Sequence, residues 1–191
     1  MLFYKKKKKP LLICIHGFGK RTTDEYANLV KYFEKDCEII VPKLFDQTIP
    51  EDRNWEDWVK RAMAPVLENK NRDVYLIGYS MGGVIASYIA MKCPNVKKLF
   101  LLAPAFSFLN LTTAKRTVKE VVKPDKYYPE YPEMTADITR TFMSVVNNCK
   151  DSIKFVTCPV FFFHCMKDNT IPYTVSEDYR NFIKHDNTTV V

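Results

Sequence analysis

Residues 78–83, Gly-Tyr-Ser-Met-Gly-Gly, constrain this chain more than any other stretch. An apolar run at 74–77 leads in and a small-residue, apolar segment at 84–90 leads out, which predicts strand, sharp turn and helix. Within it, Gly78-Tyr79-Ser80-Met81-Gly82 matches G-x-S-x-G. The spacing has a mechanical reason. A serine oxygen held proud of a sheet edge needs a reversal so tight that the serine takes strained φ/ψ. The positions two before and two after then have no room for a Cβ, and here both are glycine. A helix starting at Met81 also directs unpaired N–H groups toward negative charge developing beside Ser80.

Around this stretch the pattern alternates. Residues 11–15 form an apolar run ending in His16-Gly17-Phe18-Gly19, and residues 2–4 suit a short edge strand. Thr22-x-x-Glu25 reads as a capping box ahead of Tyr26, Leu29, Val30 and Phe33 at helical spacing. Residues 38–41 predict a second strand. Trp55, Trp58, Val59, Ala62, Met63, Val66 and Leu67 make one helical stripe, with Pro65 expected to kink or end it. The tryptophan pair reads as core-facing rather than as a ligand platform. Residues 73–79 predict the strand before Ser80, the following helix stops at Cys93-Pro94, and 96–103 predict another strand. Apolar strands each followed by a helix imply an α/β fold, a mostly parallel central sheet with helices on both faces.

From 105 to 152 the alternation stops. One amphipathic pattern runs through Leu111, Ala114, Val118 and Val122, and a second through Ile138, Phe142, Val145, Val146 and Cys149. Between them lies the Pro- and Tyr-rich segment 124–132. Inserted after a strand, at the sheet end where sites form, the span 105–152 predicts a helical cap. Phe106, Phe108, Tyr127, Tyr128 and Tyr131 read equally well as an acyl pocket and as packing of that cap. Alternation resumes with a strand at 159–163, ending in His164-Cys165-Met166-Lys167-Asp168. Thr174-x-x-Glu177 then reads as the cap of a helix burying Val175, Tyr179, Phe182 and Ile183, and residues 188–191 begin a last strand. The 191 residues suit one domain, 1–191, with a real core.

The net charge of +7 owes much to the run Lys5, Lys6, Lys7, Lys8 and Lys9. A solvated turn is the preferred reading over attachment to nucleic acid or an anionic membrane, because the run is short and has no interleaved aromatics. Six cysteines show neither C-x-x-C pairs nor zinc spacing, so no metal site and no disulfide framework are expected. No stretch approaches the roughly 20 apolar residues of a membrane span. With no usable signal peptide, the expected setting is reduced and cytoplasmic. Oligomeric state leaves no trace in the pattern.

Taken together, the motifs resemble the α/β-hydrolases, and among them the small carboxylesterase, monoacylglycerol-lipase and acyl-thioesterase branch. His16-Gly17-Phe18-Gly19 resembles the H-G-x-G turn after the first central strand. The resemblance implies one oxyanion-hole N–H from Phe18 and another from Met81, with Ser80 as nucleophile in the Gly78–Gly82 elbow. It also implies Asp168, followed by Ile171-Pro172, as the acidic member of the triad. The implied chemistry is acyl transfer on a small-molecule ester or thioester through an acyl-enzyme, with no cofactor.

The chain departs from that family in its histidines, of which it has three. The family order is Ser, Asp, His, with the histidine after the last strand. His16 belongs to the oxyanion turn, where its expected work is to brace the loop. His164 stands where relatives carry the histidine of an H-G-x-x-D pattern, with Cys165 in place of the glycine. His185 precedes the last strand and is the weaker candidate for the base, a surface histidine at a helix end being the simpler account. Residues 188–191 read as a strand cut in mid-run, so the expectation is a truncated C-terminal part with the catalytic histidine beyond residue 191. The rival expectation is a non-catalytic member of the fold that binds a ligand or partner.

Overall fold

The computed structural model describes residues 9–19, 22–107 and 135–191. Six strands, β1 (Leu11–Ile15), β2 (Glu38–Ile40), β3 (Val74–Tyr79), β4 (Val96–Leu102), β5 (Val160–Phe163) and β6 (Thr188–Val190), form one sheet in the order β2-β1-β3-β4-β5-β6. Every neighbouring pair is parallel. The helices are α1 (Ala27–Phe33), α2 (Trp55–Glu68), α3 (Met81–Lys92), α4 (Ala136–Cys149) and α5 (Thr174–Arg180).

The chain steps one way from β1 to β2 and the other way from β2 onward. Crossovers between parallel strands are right-handed, so this reversal sends α1 to one face and the later helices to the opposite face. The alternation along β1 agrees. Leu11, Ile13 and Ile15 join the main core with α2, α3 and α4, whereas Leu12 and Cys14 pack with Tyr26, Leu29 and Val30 on the α1 side. The α3 helix is apolar all round and buried over most of its length, as a helix wedged between sheet and neighbouring helices must be. Burying a side chain such as Ile85 or Ile89 there contributes about 1.5–3 kcal/mol each.

Several local expectations change. Thr22–Tyr26 is a 3-10 turn and α1 begins only at Ala27, with no side-chain cap at Tyr26. Glu25 instead reaches across to the amide of Gly17, a stronger claim on its carboxylate than a local box. No side-chain cap bond starts α5 either, and Phe182 and Ile183 fall beyond its end. Pro65 does not end α2, which continues to Glu68 and keeps Pro65 itself buried. Asn54 caps the start of that helix by accepting from the Glu56 amide at 2.9 Å.

The expected cap falls largely on residues 108–134, which lie outside the described residues with Phe108, Tyr127, Tyr128 and Tyr131; so do residues 2–4 and Lys5 to Lys8. Its described part, α4, lies in the helix layer, packed on α2 and α3 as the crossover between β4 and β5. Phe106 is fully buried and stacked on Tyr179, with ring centroids 4.6 Å apart, so it serves packing.

Candidate active site

In a parallel sheet of this order, the crevice lies at the carboxyl ends of the strands where the connections diverge, here β1 and β3. The turn after β1 carries His16 to Gly19 and the turn after β3 carries Ser80, so two of the sequence motifs meet there. A Cβ added to Gly17 would lie 3.0 Å from Tyr79 Cδ1 and 3.2 Å from Ser80 Cβ, which places the two turns in direct contact.

Ser80 adopts φ 52°, ψ −118°, a left-handed φ that a residue with a Cβ resists. Three hydrogen bonds hold it there. Its amide donates to Leu102 O at 2.9 Å, and its carbonyl accepts from Gly83 N at 3.0 Å and Ala105 N at 3.1 Å. The strain therefore persists because β4 and the helix start clamp the peptide on both sides. Neither Gly78 nor Gly82 has positive φ; what they supply is space. A Cβ on Gly78 would meet the Gly82 carbonyl group, and one on Gly82 would strike the Ile15 carbonyl oxygen and lie 2.6 Å from that of His16. Among the described residues, no acceptor takes the amide of Phe18 or Met81.

His16 is fully buried. Leu44 N–H donates to its Nε2 at 3.0 Å, so Nε2 is unprotonated and Nδ1 carries the hydrogen that goes to Gly17 O at 2.8 Å. Burial, reinforced by the Lys43 charge and opposed by the Gly17 bond, lowers its pKa from 6.5 to about 4. It is a neutral brace between the β1 turn and Leu44. Sequence reasoning missed the other braces. Glu25 Oε2 accepts from Gly17 N at 2.8 Å, Gln47 Nε2 donates to Gly19 O at 2.7 Å, and the Phe18 ring stacks on Phe142 of α4 at 4.5 Å. These contacts join residues 8 to 124 positions apart, and no local pattern announces them.

Register puts Tyr79 beside Leu102 and Leu102 beside Phe163, so Ser80 and the segment after β5 leave the same edge of the sheet. In that segment Asp168 Oδ1 accepts from Thr170 N at 2.8 Å and Ile171 N at 2.9 Å. Its Oδ2 lies 3.5 Å from His164 Nε2. Tyr79 reports both neighbouring carboxylates: burial first, then Glu25, then Asp168 push its phenol pKa up.

His164 is buried, with Nδ1 2.7 Å from Ser176 Oγ and Nε2 donating to Ile171 O at 2.8 Å. One nitrogen thereby ties His164 to α5 and the other to the Asp168 segment. His185 precedes β6, and the parallel pairing of Val160 with Thr188 sets it at the amino edge of the sheet. From Thr188 to Val190 the strand spans about 7 Å, and His185 precedes it, at the end away from Ser80. Both ring nitrogens of His16 and of His164 are thus engaged with other partners, and His185 precedes the edge strand at the opposite end from Ser80. No cluster able to hold a metal ion occurs among the described residues, and none of their helices is long and apolar enough to cross a membrane.

A parallel sheet of this order, with a strained serine between β3 and α3, defines an α/β protein of the hydrolase type. The family model described as alpha/beta hydrolase fold matches residues 10–141, and the chain belongs to that family. It is 23% identical over 219 residues to the Mycoplasma pneumoniae protein "Putative esterase/lipase 3", covering 94% of this chain and 77% of that one. The monoacylglycerol lipase of Paleococcus ferrophilus superposes with TM-score 0.72 at 17% identity, over 96% of this chain and 85% of that chain. A lipase-esterase related protein from Clostridium acetobutylicum gives TM-score 0.71 at 21% identity, again over 96% and 85%. These likenesses support a hydrolase of the α/β fold.

Proposed function

We propose that this protein is a serine hydrolase cleaving a carboxylic ester or thioester through an acyl-enzyme on Ser80. The observation that carries the reading is the strained φ of 52° at Ser80, maintained against its cost at the mouth of the crevice. In this reading Ser80 Oγ attacks the carbonyl carbon and gives its proton to a base, the amides of Phe18 and Met81 receive the oxyanion, and the C–O or C–S bond then breaks as the alcohol or thiol leaves with that proton; one such amide donor is worth about 10²–10³ in rate. Asp168, already oriented by two backbone amides, would hold a protonated imidazole in place. Water then releases the acid and restores the serine. The esterase and lipase names of the relatives point the same way, and six unpaired cysteines suit a cytoplasmic setting.

A second reading, a non-catalytic member of the fold that binds a ligand or partner, is favoured by one observation: the positions of His16, His164 and His185. Without an imidazole base, acylation of Ser80 should be slower by about 10²–10⁴. A fluorophosphonate probe separates the readings. The serine-hydrolase reading expects slow labelling of the 191-residue chain that is abolished in Ser80→Ala and accelerated by added imidazole. Labelling that neither depends on Ser80 nor responds to imidazole would leave the binding reading.

A further inference from the structure

We propose that Glu25 is a positioning residue for the oxyanion turn, acting by reach and not by charge; the inference rests on the serine-hydrolase reading above. The direction of the Phe18 N–H is set by two successive peptide planes. The Gly17–Phe18 plane is gripped at its carbonyl end by His16 Nδ1–H, at 2.8 Å, and in a trans peptide the N–H points opposite to that carbonyl. The preceding plane, His16–Gly17, is gripped at its N–H by Glu25 Oε2, also at 2.8 Å. Gly17 is the hinge between the planes, and as a glycine it offers no steric preference of its own.

Glu25 can hold this place because it leaves the 3-10 turn directly before Tyr26. That tyrosine is buried, and its hydroxyl donates to Ile15 O at 3.0 Å. The carboxylate is thus carried on a segment bolted to the end of β1. Since a Cβ at Gly17 would lie 3.2 Å from Ser80 Cβ, rotation of the His16–Gly17 plane moves the Phe18 amide relative to the serine beside it. A displacement of about 1 Å is enough to cost about 10²-fold in a reacting site.

The test uses a boronic acid, phenylboronate, which forms a tetrahedral adduct on a serine and places a boron hydroxyl where the oxyanion would sit. Its dissociation constant is measured for the full chain and for Glu25→Gln, Glu25→Asp, Glu25→Ala and Ser80→Ala, alongside each Tm. Glutamine keeps an oxygen at the same reach without charge, and should bind within about 3-fold of the parent. Aspartate keeps the charge but is one methylene short; it and alanine should weaken binding about 10–100-fold. Equal affinity in all three Glu25 variants, or weakening in Glu25→Gln as severe as in Glu25→Asp, overturns the inference while leaving Ser80 chemistry intact. Parent binding indistinguishable from that of Ser80→Ala would instead bring down the hydrolase reading, and this inference with it. Should Glu25→Ala fail to fold, the glutamine–aspartate pair decides.

Discussion

Replacing His16 with glutamine should change how stability depends on pH, and the structure sets both sign and size. The imidazole is fully buried, accepts from Leu44 N–H and donates to Gly17 O. Its pKa falls from 6.5 to about 4, chiefly through burial. The unfolded chain takes up a proton near pH 6.5, whereas the folded protein resists it until about pH 4. The stabilising contribution is therefore complete above pH 6.5 and is lost as pH falls toward 4, with a slope approaching 1.4 kcal/mol per pH unit, or about 3 kcal/mol in all. At pH 7.5 His16→Gln should be about 1–3 kcal/mol less stable than the parent, since both imidazole bonds are disturbed. That gap should close as pH approaches 4, because glutamine does not titrate. Urea unfolding followed by circular dichroism between pH 4.5 and 7.5 reads the difference directly. His164 and His185 are common to both proteins and drop out of it. A gap constant across this range would refute the buried neutral imidazole. Asp46 acts in a separate window: its carboxyl is held low first by the bond from Lys43, so its contribution disappears below the ordinary carboxylate range.

Two further predictions concern the serine turn. Ser80→Gly should abolish probe labelling yet stabilise the fold by about 1 kcal/mol, since relief of about 1–3 kcal/mol of strain exceeds the 0.5–1 kcal/mol entropic cost of glycine. Thermal unfolding showing an unchanged or lower Tm would remove the strain argument. Gly82→Ala should destabilise severely, by about 3 kcal/mol or more, because the new Cβ meets backbone of Ile15 and His16. Gly19→Ala is its control: there the nearest atom to a Cβ is Glu25 Oε1 at 3.7 Å, and the change should stay within about 0.5 kcal/mol.

Much of the architecture was legible from local pattern. An apolar run before Gly78 and a helical run after Ser80 dictate a strand and a helix whatever surrounds them, and the glycine pair two positions either side of Ser80 already implies crowding at the bend. The largely apolar runs at 11–15, 74–79, 96–102 and 160–163 declare the strands of a mostly parallel sheet, although in the structure only β1 is buried on both faces. Contacts made at a distance carried no such mark. Glu25 fits a capping box by spacing, yet its carboxylate goes to Gly17, since a buried amide in a turn against Ser80 has the greater need of an acceptor. Phe142 looked like one apolar position of a cap helix, and it stacks on Phe18 from the layer over the sheet. The histidines make the same point most sharply. By itself the sequence determined which residue types were present, the order of strands and helices, and the bend at Ser80, all consequences of side-chain size and period. Only the tertiary structure decided that His16 spends both nitrogens on loop backbone, that His164 ties α5 to the Asp168 segment, and that His185 lies at the opposite edge from Ser80, because the direction of strands and the partners of a buried imidazole are properties of packing between distant segments.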